Sequence, residues 1–211
     1  MKNIIFIAPP AAGKGTQSNM LKDKYGYVHI SVGDLLRKEV ALETASGKAV
    51  KNIIDSGELV ADDLVFAILK KHLRNIVGKP FILDGFPRTL NQAKTLDKFL
   101  NDYEVIYLDL AKEKAVKRML NRLVCECGKS YNLGDETLKP KTEGFCDICG
   151  KKLVKRDDDN AEIFAKRYDN FLTNIEPIKD YYKAKNKLHM IDVNRNINDI
   201  FEDISEIVAN D

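Results

Sequence analysis

Asn3-Ile4-Ile5-Phe6-Ile7-Ala8, running into Pro9-Pro10-Ala11-Ala12-Gly13-Lys14-Gly15-Thr16, is the stretch that decides how this chain folds. The first six residues form a continuous apolar run of strand length, and Gln17 to Tyr25 has helical periodicity, so a buried strand leads through a tight loop into a helix. Such a loop binds phosphate. Its backbone N–H groups and those of the helix N-terminus point at phosphate oxygens, Lys14 neutralises the β/γ charge, and the Thr16 hydroxyl can ligate Mg²⁺. Ala8 stands where a P-loop usually opens with glycine. If Ala11 adopts a positive φ, it costs roughly 1 kcal/mol that glycine would avoid. Read without its surroundings, the motif is also compatible with a plain strand-to-helix turn shaped by Gly13 and Gly15.

At 211 residues and 44% apolar content the chain buries a real core, as one large domain with insertions or two modest ones. Its 34 basic and 32 acidic residues nearly cancel, which argues against nucleic acid or an anionic membrane as the main partner. No apolar stretch is long enough to span a bilayer. Met1-Lys2 with Ile4 to Ala12 faintly resembles a signal peptide, but the run continues straight into the Lys14 loop. It reads as a first strand, and the protein as cytoplasmic. Lysine so outnumbers arginine that the arginines are worth locating, because a planar fork binds phosphate bidentately where lysine cannot. Arg37, Arg88, Arg118, Arg122, Arg156 and Arg167 fall beside motifs; Arg74 and Arg195 do not obviously do so.

Further strands are predicted at Tyr27 to Ile30, Phe81 to Leu83, Val105 to Leu110 and Leu188 to Val193, separated by helical sequence, which implies a parallel sheet covered on both faces. Two stretches break the rhythm: Ser31 to Val60, helical and polar, and Val124 to Asp159, which holds every cysteine. Both read as insertions able to move.

Phe81-Ile82-Leu83-Asp84-Gly85-Phe86-Pro87-Arg88-Thr89 places a carboxylate at a strand's end, where ligands collect in open parallel sheets. Asp84 can hold a Mg²⁺-bound water and Arg88 can reach phosphate; the plain alternative for Asp84 is a turn residue. Ser31-Val32-Gly33-Asp34-Leu35-Leu36-Arg37 likewise follows a strand and starts a helix, with Arg37 on the face of Gly33 or Asp34. From Ala111 to Leu123 the apolar positions follow helical spacing, which puts Arg118 and Arg122 one turn apart, as anion ligands or as a solvated basic face with Lys114 and Lys117. Cys125-x-Cys127 and Cys146-x-x-Cys149 are clustered as a metal site would be, and four thiolates suit structural zinc, with unligated thiols or an iron–sulfur cluster as alternatives. Two cysteines separated by one residue on an extended strand face the same side. In Arg156-Asp157-Asp158-Asp159-Asn160, Asp159 with Glu162 reads as a capping box, leaving Asp158 and Arg156 as functional candidates. His29, His72 and His189 show no pairing pattern and read as core or surface residues.

The Lys14 loop, Ser31-Val32-Gly33-Asp34, Asp84 to Thr89 with Gln92, Arg118/Arg122, and Arg156 with Arg167 occur in the order found in adenylate kinases, and the resemblance covers essentially the whole chain. It implies an α/β fold: a P-loop, doubly wound parallel five-stranded sheet (residues 1–30, 61–122 and 160–211), a helical monophosphate-binding insertion (31–60) and a zinc-stapled lid (123–159). It also implies Mg²⁺-dependent, reversible, in-line phosphoryl transfer from ATP to AMP giving two ADP, in a cytoplasmic monomer that binds neither nucleic acid nor membrane. ATP would lie on Ala11, Ala12, Gly13, Lys14, Gly15 and Thr16, met by Arg118, Arg122, Ser130 and Tyr131, with Arg195 near its adenine. AMP would lie on Val32, Arg37, Glu58, Leu59, Val60, Gly85, Phe86, Pro87, Arg88 and Gln92, the last reading the adenine edge, with Arg156 and Arg167 at its phosphate. Lys14, Arg88, Arg122, Arg156, Asp158 and Arg167 would surround the transferred group. Cys125, Cys127, Cys146 and Cys149 would hold zinc, and Thr16 and, through water, Asp84 the Mg²⁺. The chain departs from the family at Ala8 and Ala11, usually glycine, which bears on loop geometry and ATP affinity. It departs again at Val32, usually threonine, which bears on the strictness of AMP specificity. Uridylate/cytidylate kinase is the related alternative, and a nucleotide sensor carrying a zinc ribbon the more distant one.

Overall fold

Residues 1–76, 78–156 and 158–209 are described by the structure, a computed structural model. The apolar run at the start forms β1 (Asn3–Ile7), followed by α1 (Lys14–Tyr25), β2 (Val28–Ser31), α2 (Val32–Ala41), α3 (Ala45–Asp55), α4 (Asp62–Leu73), β3 (Phe81–Asp84), α5 (Leu90–Leu96) and β4 (Tyr103–Asp109). After α6 (Lys112–Leu120) come the short β5 (Arg122–Val124) and β6 (Ser130–Asn132), the long α7 (Ala161–Lys183), β7 (Leu188–Asp192) and α8 (Ile197–Ala209).

Five strands form one sheet in the order β2-β3-β1-β4-β7, every neighbouring pair parallel. Parallel strands need helical crossovers, which cover both faces, so each strand is apolar on both sides. Side chains alternate along β1 accordingly. Ile5 and Ile7 join the core beneath α4, α5 and α7, while Ile4 and Phe6 join the core beneath α1, α6 and α8. Winding reverses at β1, with β3 on one side and β4 on the other, and the C-terminal ends of β1 and β3 open a crevice there.

Two smaller bodies rise above that end. α2 and α3 form a tight helical pair: Ser31 Oγ accepts from Asp34 N–H at 3.3 Å to cap α2, and Thr44 Oγ1 accepts from Gly47 N–H at 2.9 Å to cap α3. β5 and β6 pair antiparallel, and Val124 bridges to Val154. Here the structure corrects the sequence reading. The apolar spacing runs on to Leu123, but α6 stops at Leu120, where the Asn121 side chain donates to Lys117 O at 2.9 Å. The next three residues join the β5–β6 ladder, so strand pairing overrides local periodicity and Arg118 and Arg122 do not share a helical face. No helix among the described residues is long and apolar enough to cross a membrane.

The α2–α3 turn is the tightest backbone approach at any glycine. A Cβ on Gly47 would lie 2.0 Å from Glu39 O and 2.7 Å from Val40 N. Gly47→Ala is therefore expected to destabilise the protein by about 1–3 kcal/mol through a forced backbone shift. A urea midpoint equal to wild type would contradict this.

Candidate active site

Between β1 and α1 the chain turns through two left-handed residues, Ala11 at φ 62° and Gly13 at φ 91°. Gly13 precedes α1 without any side-chain cap, so the N–H groups of its first turn face the crevice free to meet an anion. Thr16 sits in that first turn, two residues beyond Lys14. Lys14 folds back over the loop and donates to Ala8 O at 3.4 Å and Pro9 O at 3.3 Å. Its Nζ also lies 3.9 Å from Asp84 Oδ1. Burial lowers the Lys14 pKa to about 8 and Arg88, Arg167 and Arg122 lower it too, while Asp84 opposes them.

Asp84 ends β3, in register with Phe6 of β1 and Ser31 of β2, so the sheet itself delivers its carboxylate to the loop. Burial raises the Asp84 pKa, but Lys14 and His29 outweigh it and hold the carboxyl below its ordinary value. His29 Nε2 lies 3.5 Å from Asp84 Oδ2. His189 Nε2 lies 2.9 Å from Glu104 Oε2. Both histidines thus face carboxylates from other strands, a pairing across the fold that sequence spacing does not reveal.

Around this centre, cations arrive from every side, and all but one of those named here meet an aspartate. Arg167, from α7, pairs with Asp158, which also lies 3.6 Å from Arg37 Nη1. Arg37 donates to Asp34 Oδ1 at 2.6 Å, and Arg156 lies 3.5 Å from the same oxygen. Arg122, from β5, makes a two-pronged pair with Asp159. Among the described residues Arg88 has no such partner; its Nε donates to Gly85 O at 2.9 Å. Burial, then the proximity of Arg167, lowers the Arg88 pKa to about 10, and burial, then Arg37 and Arg122, does the same to Arg156. Burial raises the Asp158 carboxyl, but Arg167, Arg37 and Arg156 more than reverse it. Among the described residues named here, Lys14, Arg37, Arg88, Arg122, Arg156 and Arg167 outnumber Asp34, Asp84, Asp158 and Asp159, an excess of positive charge.

Asp159 was not legible from sequence. Asn160 is the residue that caps α7, its Oδ1 accepting from Ile163 N–H at 2.9 Å, which leaves the Asp159 side chain, 3% exposed, to hold Arg122. The run of consecutive aspartates beside Arg156 was the available signal. Asp157 lies outside the described residues.

A cleft of about 380 Å³ runs along the loop, lined by Ala11 to Gln17, Asp84, Arg88, Arg118, Arg122, Ser130, Tyr131, Arg156 and Arg167. A second pocket of about 40 Å³ adjoins it, lined by Val32, Arg37, Glu58, Leu59, Val60, Gly85, Phe86, Arg88, Gln92, Asp158 and Arg167. Gly33, Arg37, Gly85, Arg88 and Arg167 wall both. Pro87 faces a neighbouring cavity beneath Lys14 and Arg88. Two predicted contacts have other partners: Arg118 donates to Val193 O at 3.0 Å, and Arg195, exposed and outside the cleft lining, donates to Asp192 O and pairs with Asp203.

Beyond the cleft, the four cysteine sulfurs lie within 4.8 Å of one another. The two loops that bring them are alike: Cys125 N–H donates to Lys129 O and Gly128 N–H to Cys125 O, while Cys146 N–H donates to Lys151 O and Gly150 N–H to Cys146 O. The Cys-x-Cys pair therefore lies on a tight turn and not on an extended strand, because the Gly128 N–H bond to Cys125 O closes the chain. Tyr131 donates its hydroxyl to Cys146 Sγ at 3.4 Å and accepts from Asp147 N–H at 2.7 Å, holding the Cys146 thiol down at about 6.

Comparison with known families matches residues 6–187 to the family described as Adenylate kinase. Curated relatives bearing that name include one from Petrotoga mobilis, 42% identical over 97% of this chain and 96% of its own. Others come from Thermosipho melanesiensis, 41% identical over 98% of this chain and 99% of its own, and Archaeoglobus fulgidus, 42% identical over 98% and 97%.

The depressed Lys14 pKa sets a pH dependence. Only the charged amine attracts phosphate, and phosphate oxygens raise its pKa on binding. MgATP affinity is therefore expected to be flat up to pH ~7.5 and to weaken above pH 8 by up to about tenfold per pH unit. Lys14→Gln should bind weakly with no break near 8. Calorimetric titration from pH 7 to 9.5 checks both, and a flat wild-type profile would refute the assignment.

Proposed function

The chain belongs to the adenylate kinase family, and from that premise we propose how its own residues divide the work of moving a phosphoryl group reversibly from MgATP to AMP, giving two ADP. The observation that carries the division is the shared wall: Arg37, Gly85, Arg88 and Arg167 belong to both pockets, so two nucleotides seated in them meet phosphate to phosphate. ATP lies on residues 11–16 with its γ-phosphoryl toward Arg88, Arg122, Arg156 and Arg167. AMP lies under α2 with Gln92 against its base and Arg37 and Arg88 on its phosphate.

AMP's phosphate is already an anionic nucleophile, so alignment and charge neutralisation do the work and a general base has little part. Arg88 is placed for the central role. It stands in both walls and has no carboxylate partner among the described residues, so its guanidinium turns to incoming phosphate without first giving up any ion pair seen there. Asp158 and Asp159 orient Arg167 and Arg122 until phosphate takes the aspartates' place. The helical pair, 31–60, and the cysteine-bearing segment, 123–159, close over the cleft and exclude water, which would otherwise act as acceptor.

The oxygen donors Thr16 and, through water, Asp84 would suit Mg²⁺, which would neutralise charge on the triphosphate. Cys125, Cys127, Cys146 and Cys149 fit zinc. Sulfurs about 2.3 Å from a tetrahedral zinc lie about 3.8 Å apart, and Cys125–Cys149 at 3.3 Å and Cys127–Cys146 at 3.6 Å need little adjustment. Four thiolates leave no open position, so this site braces the lid and takes no part in transfer. Free thiols gathered for a metal suit a reducing cytoplasm, and the two-pocket site is complete within a monomer.

A coupled assay of ADP formation with AMP, UMP, CMP and GMP as acceptors tests the reading. Turnover should require AMP and Mg²⁺, and MgATP consumption indifferent to any monophosphate would overturn it. Arg88→Lys should keep the fold but lose kcat by about 10²-fold or more, and near-wild-type kcat would remove Arg88 from the proposed role. Metal analysis should find about one zinc per chain, whose chelation lowers Tm.

A further inference from the structure

Gln92 is 3% exposed and lines the second pocket, and two neighbours fix which way its amide faces. Its Oε1 accepts from Arg88 N–H at 2.7 Å, and its Nε2 donates to Asp62 Oδ1 at 2.6 Å. The other oxygen of Asp62 accepts from Asn91 Nδ2 at 2.6 Å. Asp62 itself does not line the pocket. It opens α4 directly after Ala61, which offers no side-chain cap, and its carboxylate reaches away from its own helix to the start of α5.

We infer that Asp62 is a positioning residue that sets base specificity by locking the Gln92 amide in one of its two orientations; the inference rests on the reading of Gln92 as the residue that meets the base. A carboxylate accepts hydrogen bonds and cannot donate them, so only the NH₂ side of the amide can face it. The backbone N–H of Arg88 only donates, so only the carbonyl side can face that. A flipped Gln92 would set its oxygen against the carboxylate and its NH₂ against the N–H, losing both bonds in a buried site. The locked amide keeps one carbonyl lone pair and one N–H for ligand.

That pair matches a base edge showing an amino donor beside a ring-nitrogen acceptor, as adenine does. A 6-oxo purine presents the reverse pattern, an oxygen acceptor beside an N–H, and would be met only by the flipped amide. Rejection of the 6-oxo base thus comes from a group that never touches it, acting by forbidding the rotamer that would welcome it. Uracil fails on the same ground. Cytosine presents the adenine-like edge, so its rejection must come from ring size.

The test compares kcat/KM for AMP and IMP at saturating MgATP in wild type, Asp62→Ala, Asn91→Ala and Gln92→Leu, with Tm and the KM for MgATP measured alongside. Asp62→Ala should raise the KM for AMP, leave kcat nearly unchanged, and reduce the AMP-over-IMP preference by about tenfold or more. Asn91→Ala, which removes the outer arm and leaves the Gln92 bond, should keep that preference. A preference unchanged in Asp62→Ala but collapsed in Gln92→Leu would overturn the role of Asp62 while leaving the base contact standing. A preference unchanged in Gln92→Leu would overturn the base contact itself. Equal loss in kcat/KM for both monophosphates in Asp62→Ala, in step with lower Tm, would mark Asp62 as merely structural and also overturn the inference.

Discussion

Gathering cations out of water is the constraint around which this molecule is organised. Guanidinium groups brought together at the C-terminal end of a parallel sheet lose solvation and repel one another, and that repulsion is stronger in the lower dielectric of a protein than in water. The protein answers with aspartates: Asp34 for Arg37 and Arg156, Asp158 for Arg167, Asp159 for Arg122 and Asp84 for Lys14. Compensation is incomplete: burial first, with neighbouring guanidinium groups adding to it, lowers the pKa of Lys14 to about 8 and those of Arg88 and Arg156 to about 10. A site that holds its cations short of full neutralisation favours polyanionic ligands, since each phosphate relieves repulsion already present.

The same pairs connect different parts of the chain. Asp34 belongs to α2, Arg122 to β5, and Asp158 and Asp159 to the approach to α7, so the Arg37–Asp158, Arg156–Asp34 and Arg122–Asp159 contacts run between the helical pair, the small hairpin and the core. Contacts of this kind are exchangeable. Phosphate oxygens present the geometry of a carboxylate with more charge, and a ligand that takes over an arginine releases the aspartate that held it. Other contacts hold each small body together internally: the close Gly47 approach between α2 and α3, and the hydrogen bonds of Tyr131 in the cysteine loops.

Much of this was legible in the sequence, because apolar runs of strand length alternating with helical spacing admit one kind of sheet, and the glycine-lysine loop and Asp84 mark its functional end. What escaped reading depended on pairing across the fold. Arg122 lies at a position that helical periodicity claims, and only the β5–β6 ladder moves it. Asp159 fits a capping pattern, yet Asn160 is the better placed cap by one residue, and local rules of that kind carry an uncertainty of a residue at a helix end. His29 and Asp62 offered no motif at all, since their partners lie 55 and 30 positions away, at Asp84 and Gln92, and are set by register and helix packing.

The alanines in the loop show how sequence departures can leave a site's geometry standing. Ala11 takes the left-handed conformation at φ 62°, a cost of roughly 1 kcal/mol against glycine. Ala12 next to it is 2% exposed, in the core of Ile4, Phe6 and Leu21, and Ala8 and Ala11 pack against that same core. Each buried methyl contributes roughly 0.8 kcal/mol that glycine would lack, so packing offsets much of the backbone strain. Alanine also removes conformations that glycine would populate in the unfolded chain. The loop thus presents an uncapped helix end to the cleft, held by its packing where glycine would supply freedom of the backbone.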